Sequence, residues 1–255
     1  DRLGVAPVAM WWAYLETENP LLDALYALNR ADTPPKVTQA ASQIHAPGLN
    51  IVWANQAGRI GWWAAAKLPI RPDGVSGKFI LDGGSAEADK LGYYRFSDNP
   101  HELDPPRGYV LSANQQPLAS SGVPIPGYYK LPDRAQRLDE LLRNDQVLWD
   151  VHNSQALQLD GQSSYGPRVL RALAPVLDRV VTDPQERFML ASLNSWDGQH
   201  ALRDITPTVF NQLLFELAQA AMADELGPVQ FQSLLRTPAL EFALPRLGAD
   251  ADSPW

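Results

Sequence analysis

The sequence predicts an α+β protein in which a mixed strand-and-helix part, residues 1–130, is followed by an all-helical part, residues 131–255. Three observations carry that prediction. Short apolar runs bounded by turn residues recur in the first part, at Val8–Tyr14, Leu49–Ala54 and Gly108–Ala113. Two of the apolar segments there are joined by the turn Asn55-Gln56-Ala57-Gly58, a hairpin signature. From Asp133 onward, apolar residues return at helical spacing between proline breaks.

Composition bounds what such a chain can do. Its 255 residues carry 21 Lys and Arg against 29 Asp and Glu, a formal charge of −8. An acidic chain without a basic run has no electrostatic grip on phosphate, so nucleic acid is not an expected partner. Eight Trp, eight Tyr and seven Phe are too much aromatic surface to leave in water, which excludes general disorder. No stretch of about 18 apolar residues occurs, so no membrane-spanning helix is expected. The absence of Cys removes disulfides, thiolate metal sites and a Cys nucleophile.

Taken in order, Val8–Tyr14 (VAMWWAY) reads as a strand buried on both faces. Asn19-Pro20 opens a helix with Leu21, Leu22, Leu25 and Leu28 on one face, and Pro35–His45 reads as a second helix. Leu49–Ala54 and Arg59–Ala65 form the hairpin. Residues 69–92, rich in Gly, Pro and Asp, read as loop with one strand around Phe79–Leu81. Gly108–Ala113 (GYVLSA) reads as a further buried strand leading into Asn114-Gln115-Gln116-Pro117. In the second part, Asp133 is placed to cap a helix carrying Leu138, Leu141 and Leu142. Helical spacing then covers 147–159, 167–180 and 184–193. The longest helix spans 207–226, with Thr206 as its cap and Gly227 as its stop, and 231–247 is helical with interruptions at Pro238 and Pro245.

Familiar local motifs are weak. His45, His101, His152 and His200 do not stand at metal-ligand spacing, and no His-Glu-x-x-His occurs. Gly74-Val75-Ser76-Gly77-Lys78 has the wrong spacing for a phosphate loop and reads as a solvated turn. No Gly-x-Ser-x-Gly elbow is present, and the carboxylates are scattered.

Three segments, in order, resemble the penicillin acylase (penicillin amidase) family of N-terminal nucleophile hydrolases. The first is Leu49-Asn50-Ile51-Val52-Trp53-Ala54-Asn55 with Gly58-Arg59-Ile60-Gly61-Trp62. The second is Gly108-Tyr109-Val110-Leu111-Ser112-Ala113-Asn114-Gln115-Gln116-Pro117, and the third is the Asp133-Arg134 helix start. The resemblance implies a four-layer αββα sandwich, partial here, followed by a helical domain. It implies an amide hydrolase that cleaves an acyl group from a secondary amide, as in penicillin, cephalosporin or acyl-homoserine-lactone acylases. In that family a precursor cuts itself into two chains, and the new N-terminal Ser attacks with its own α-amine as base. A free amine titrating at about pH 8 suits that task.

By resemblance, Asn114 supplies an oxyanion donor through its carboxamide, and Arg134 organises the site and holds the amine neutral. Leu49 and Leu25 align with residues lining the acyl pocket. Read without the resemblance, Asn114 is a strand-end residue bonding a turn, Arg134 a helix-surface cation, and both leucines core. Residue 1 is Asp, so the nucleophile is expected upstream, in polypeptide outside this sequence. The chain is thus expected to be an internal piece of the larger subunit, inactive alone, with the smaller subunit and the upstream segment of that precursor as partners. A small acyl amide is the expected substrate, and the implied location is periplasmic or secreted, in a bacterium. No cofactor is expected. The family's calcium site draws on an Asp shortly before the Asp-Arg helix, and Ser121–Pro126 offers no carboxylate. Two rival readings stand beside this one: a non-catalytic binding or structural relative with the same fold, and a helical interaction domain joined to an unrelated β module.

Overall fold

The computed structural model describes residues 2–3 and 6–250. They form two compact units, Asp1–Tyr129 and Lys130–Trp255.

In the first unit, β1 (Arg2–Leu3) pairs antiparallel with β2 (Ala6–Pro7). The following apolar run is not a strand. Residues 8–12 are irregular and α1 (Ala13–Glu16) follows, with Met10, Trp11, Trp12 and Tyr14 exposed. An extended run becomes a strand only when its N–H and C=O groups find a neighbour, and no described strand pairs with this one. The two predicted helices form as α2 (Leu21–Asn29) and α3 (Pro34–Ala41), the latter started by prolines that need no N–H partner in the first turn. Leu21 and Leu28 face the core, whereas Leu22 is exposed.

The hairpin forms as read. β3 (Leu49–Ala54) pairs antiparallel with β4 (Ile60–Ala65) in the register Leu49↔Ala65 through Ala54↔Ile60. Its turn is organised by the Asn55 carboxamide, whose oxygen accepts from the N–H groups of Ala57 and Arg59, both at 3.0 Å. β5 (Pro69–Ile70) pairs with β6 (Gly92–Tyr93), so the pairing in this long connection lies at its two ends. The strand expected at Phe79–Leu81 does not form, and Phe79 and Ile80 stand in solvent. β7 (His101–Leu103) adds to β4, giving the sheet order β3-β4-β7. Helices α2 and α3 pack on the face carrying Leu49, Ile51 and Ala65, around the buried Ala24, Ala41 and Ile44. This is one helix layer on one sheet. The run Gly108–Ala113, expected as a strand, joins no sheet among the described residues, although Ala113 is buried.

Among the described residues, the regular elements of the second unit are helices, α4 (Asp133–Leu142), α5 (Val151–Gln158), α6 (Tyr165–Val180), α7 (Pro184–Ser195), α8 (Thr206–Leu234) and α9 (Ala239–Ala249), with an isolated bridge between Gln162 and Gln199. Helix α5 starts later than its apolar spacing suggests, because Asp150 and Asn153 build a reciprocal cap at 2.8 and 2.9 Å. Thr206 does not cap α8; Asp204 instead accepts from the Thr206 N–H at 2.8 Å. Gly227, at φ 69°, breaks α8 as read, and Pro228 restarts it in a new direction. Pro245 does not interrupt α9. Val169, Leu170, Leu193, Trp196 and Phe210 lock α6, α7 and α8 together. Ala218, Met222, Phe231 and Leu244 do the same for α8 and α9. Gly166 lets Trp196 approach, since a Cβ there would stand 2.3 Å from the indole.

Candidate active site

Asn114 sits on a loop of the first unit whose two ends are fastened to the sheet. At the entrance, just past β7, the Asp104 carboxylate accepts from the Ile60 N–H at 2.9 Å and pairs with Arg59. The nearby hydrogen bonds hold that carboxyl below the usual carboxylate range, the largest contribution coming from the Ile60 N–H. At the exit, the Val123 N–H donates to the Asp98 carbonyl at 2.8 Å. The Asn99 side chain, 1% exposed, ties this segment to the end of β4 by donating to the carbonyls of Ala64 and Ala66 at 2.9 and 2.7 Å.

Between these clamps, Asn114 has φ 63°, a left-handed conformation that Asn tolerates better than other residues with a side chain. Ala113 is buried and its N–H donates to the Gln115 side chain at 2.7 Å. The Asn114 side chain itself is exposed and makes no hydrogen bond among the described residues. A free carboxamide on a fixed backbone can offer two N–H donors to an oxygen that becomes negative.

Arg134 belongs to the second unit, in the first turn of α4. It is exposed and forms no ion pair or hydrogen bond among the described residues. Its neighbour Asp133 is buried, and here the structure corrects the sequence reading. Asp133 is not a cap. Its carboxylate accepts from the Ser164 hydroxyl at 3.1 Å and from the Arg168 guanidinium at 3.1 Å, tying α4 to α6. Arg134 lines a cavity of about 470 Å³ within the helical unit, together with Tyr165 and Glu241. Burial, with repulsion from Glu241, pushes the Tyr165 phenol up to about 12.

Leu25 lines a cavity of about 650 Å³ in the first unit, between α2 and the free edge of β3, with Ile51, Val52 and Trp53. Leu49 is not on that wall. It is half-buried and packs on the core around Ala24 and Ile44. Sequence reasoning missed the Asp133–Ser164–Arg168 cluster, whose members lie 31 and 35 residues apart in pairs with Asp133 and leave no local spacing signal. Among the described residues, no three His, Asp or Glu side chains gather where they could hold a metal ion, and Ser121–Pro126 brings no carboxylate.

Helices over one face of an antiparallel sheet, followed by a helical unit, define an α+β protein. The penicillin amidase family model matches residues 2–255, and the chain belongs to that family. It is 28% identical over 250 residues to the acyl-homoserine lactone acylase QuiP of Pseudomonas putida, covering 92% of this chain and 30% of that protein. The namesake from Pseudomonas aeruginosa is 26% identical over 252 residues, covering 92% and 29%. The penicillin acylase 2 proenzyme of a Pseudomonas species is 29% identical over 154 residues, covering 59% and 19%. The chain thus spans less than a third of the length of these relatives. Thermostable penicillin G acylase from Alcaligenes faecalis shares the fold, with a TM-score of 0.65 at 21% identity over 80% of this chain and 38% of that one.

Proposed function

We propose that this chain supplies the oxyanion donor Asn114 and the cation Arg134 to an amide hydrolase that removes an acyl group from a secondary amide. The observation that carries the reading is the Asn114 carboxamide, free of protein partners on a left-handed backbone anchored at both ends of its loop. Asn is the residue with a side chain that most readily adopts this conformation, so the turn presents the carboxamide at little backbone cost. In the proposed reaction, a Ser hydroxyl from a neighbouring segment of the same precursor attacks the amide carbon and gives its proton to that segment's α-amine. The carbonyl oxygen becomes an oxyanion facing Asn114. The C–N bond then breaks, the amine leaves with the proton, and water hydrolyses the acyl ester.

The acyl-homoserine lactone acylases among the relatives favour fatty-acyl homoserine lactones as substrates. Leu28, Ile51 and Val52 beside Leu25 offer an aliphatic stretch to an acyl chain, in a lining that also carries Asn29, Asp32 and Thr33. Penicillin-type amides are the second reading, favoured by the penicillin acylase relative. The resemblance supports autoproteolytic maturation and a periplasmic or secreted bacterial enzyme, which fractionation of cells carrying the full-length protein checks.

The central test is release of homoserine lactone from N-dodecanoyl-homoserine lactone by the full-length protein. Asn114→Ala is expected to lower kcat by about 10²–10³. The isolated 255-residue chain is expected to give no turnover. Full activity in the Asn114→Ala protein ends the oxyanion assignment, and a full-length protein with no amidase activity favours the non-catalytic relative.

A further inference from the structure

We infer that the helical unit carries a binding site for an aliphatic carboxylate, in the cavity lined by Lys130, Arg134 and the apolar side chains of α8 and α9. Its volume of about 470 Å³ falls in the range of roughly 300–1,000 Å³ typical of small-molecule sites. Leu214, Phe215, Leu240 and Leu244 give it an apolar wall, a lining that favours a hydrocarbon over a polar ligand. The charged lining decides the head group. Lys130 and Arg134 are exposed, and neither has an ion pair or hydrogen bond among the described residues. Asp133 also lines the cavity, but its charge is already committed to Arg168 and its oxygens to Ser164 and Arg168. Glu241 also lines the cavity and forms no ion pair among the described residues. Two unpaired cations against one unpaired acid, over an aliphatic floor, complement a long-chain anion. The planar fork of Arg134 matches a carboxylate in two-point fashion.

An aliphatic carboxylate is also what cleavage of a fatty-acyl amide releases. The link to turnover, as a place for the acid product, rests on the acylase reading; the binding site itself does not.

The test is calorimetric titration of the 255-residue chain with octanoate, decanoate and dodecanoate below their micellar concentrations. One dodecanoate per chain is expected, with Kd falling about three- to fourfold per added methylene. Dodecylammonium is expected to bind at least tenfold more weakly. Arg134→Gln and Lys130→Gln each weaken dodecanoate several-fold, Leu240→Glu abolishes binding, and Glu241→Gln tightens it. Should Leu240→Glu fail to fold by circular dichroism, the exposed Phe215→Ser replaces it. Equal affinity for dodecylammonium overturns the site. So does weaker binding in Glu241→Gln, or affinity untouched by both Arg134→Gln and the wall variant. Asn114→Ala, in the other unit, is expected to leave dodecanoate affinity unchanged. Turnover in the full-length protein without dodecanoate binding removes this site and spares the acylase reading. Dodecanoate binding without turnover does the reverse.

Discussion

The two units reach order by different means. The helical unit interlocks large side chains, with Trp196 and Phe210 at 5.2 Å between ring centroids and Val169 fully buried beside them. The first unit centres on small residues, Ala24, Ala41 and Ala65 around Ile44, and leaves Trp11, Trp12 and Tyr14 exposed. A helix closes its backbone hydrogen bonds within itself, so the six helices among the described residues of that unit stand once their apolar stripes meet. A strand makes its ladder bonds only with a neighbour. Among the described residues, the apolar runs of β3 and β4 pair with each other and, with the polar β7 added to β4, make the sheet of more than two strands.

That contrast can be broken or sharpened by substitution. The largest effect is expected in the interlocked core: Phe210→Ala should cost about 3–5 kcal/mol in denaturant unfolding, through lost burial and the cavity left behind. A loss below about 1 kcal/mol would mean that the aromatic cluster does not hold the helical unit. Ile44→Val, its counterpart in the first unit, deletes one methyl group and should cost about 0.5–1.5 kcal/mol. If Ile44→Val costs as much as Phe210→Ala, the two cores are not different in kind.

Next in size is the buried acid. Asp133→Ala strips Arg168 and Ser164 of their shared acceptor, and because Arg168 is 41% exposed the expected cost is held to about 1–3 kcal/mol. Asn99→Ala, which frees the Ala64 and Ala66 carbonyls, falls in the same range of about 1–3 kcal/mol. Its readout is faster amide exchange confined to the segments around β4 and the Asn114 loop; uniform exchange would refute the clamp.

The smallest effect is electrostatic. Arg137 donates to both Asp160 oxygens, at 3.0 and 2.7 Å, and holds that carboxyl below the usual carboxylate range. A depressed carboxyl contributes stability that is present above its unfolded-state pKa and lost as pH falls through the folded one. Helical-unit stability should therefore fall on acidification below the ordinary Asp range, and Asp160→Asn should flatten that fall. An identical pH profile in the variant removes the pair from the account.

Much of this was legible beforehand because the signals were local. Prolines at helix starts, Gly227 at a helix stop and the Asn55–Gly58 turn act within a few residues, so the α2, α3 and hairpin boundaries could be read to within a few positions. Family membership was legible from three short segments in order. What failed was read from apolarity alone. VAMWWAY and GYVLSA have the composition of buried strands, but composition cannot say whether a pairing partner exists. Asp133 reads as a cap because caps are local, whereas its partners, Ser164 and Arg168, come from the start of α6.

The sequence by itself determined the starts of α2 and α3, the break at Gly227, the Asn55–Gly58 hairpin and the membership of the penicillin amidase family, since each depends on neighbours along the chain. Only the tertiary structure decided which apolar runs become strands, that Asn114 has no hydrogen-bond partner among the described residues on its left-handed turn, and that Asp133 is consumed by Ser164 and Arg168 while Arg134, without an ion pair among the described residues, lines a largely apolar cavity. Backbone and side-chain polar groups must be satisfied by whatever the fold brings near, and that inventory is written in space rather than in spacing.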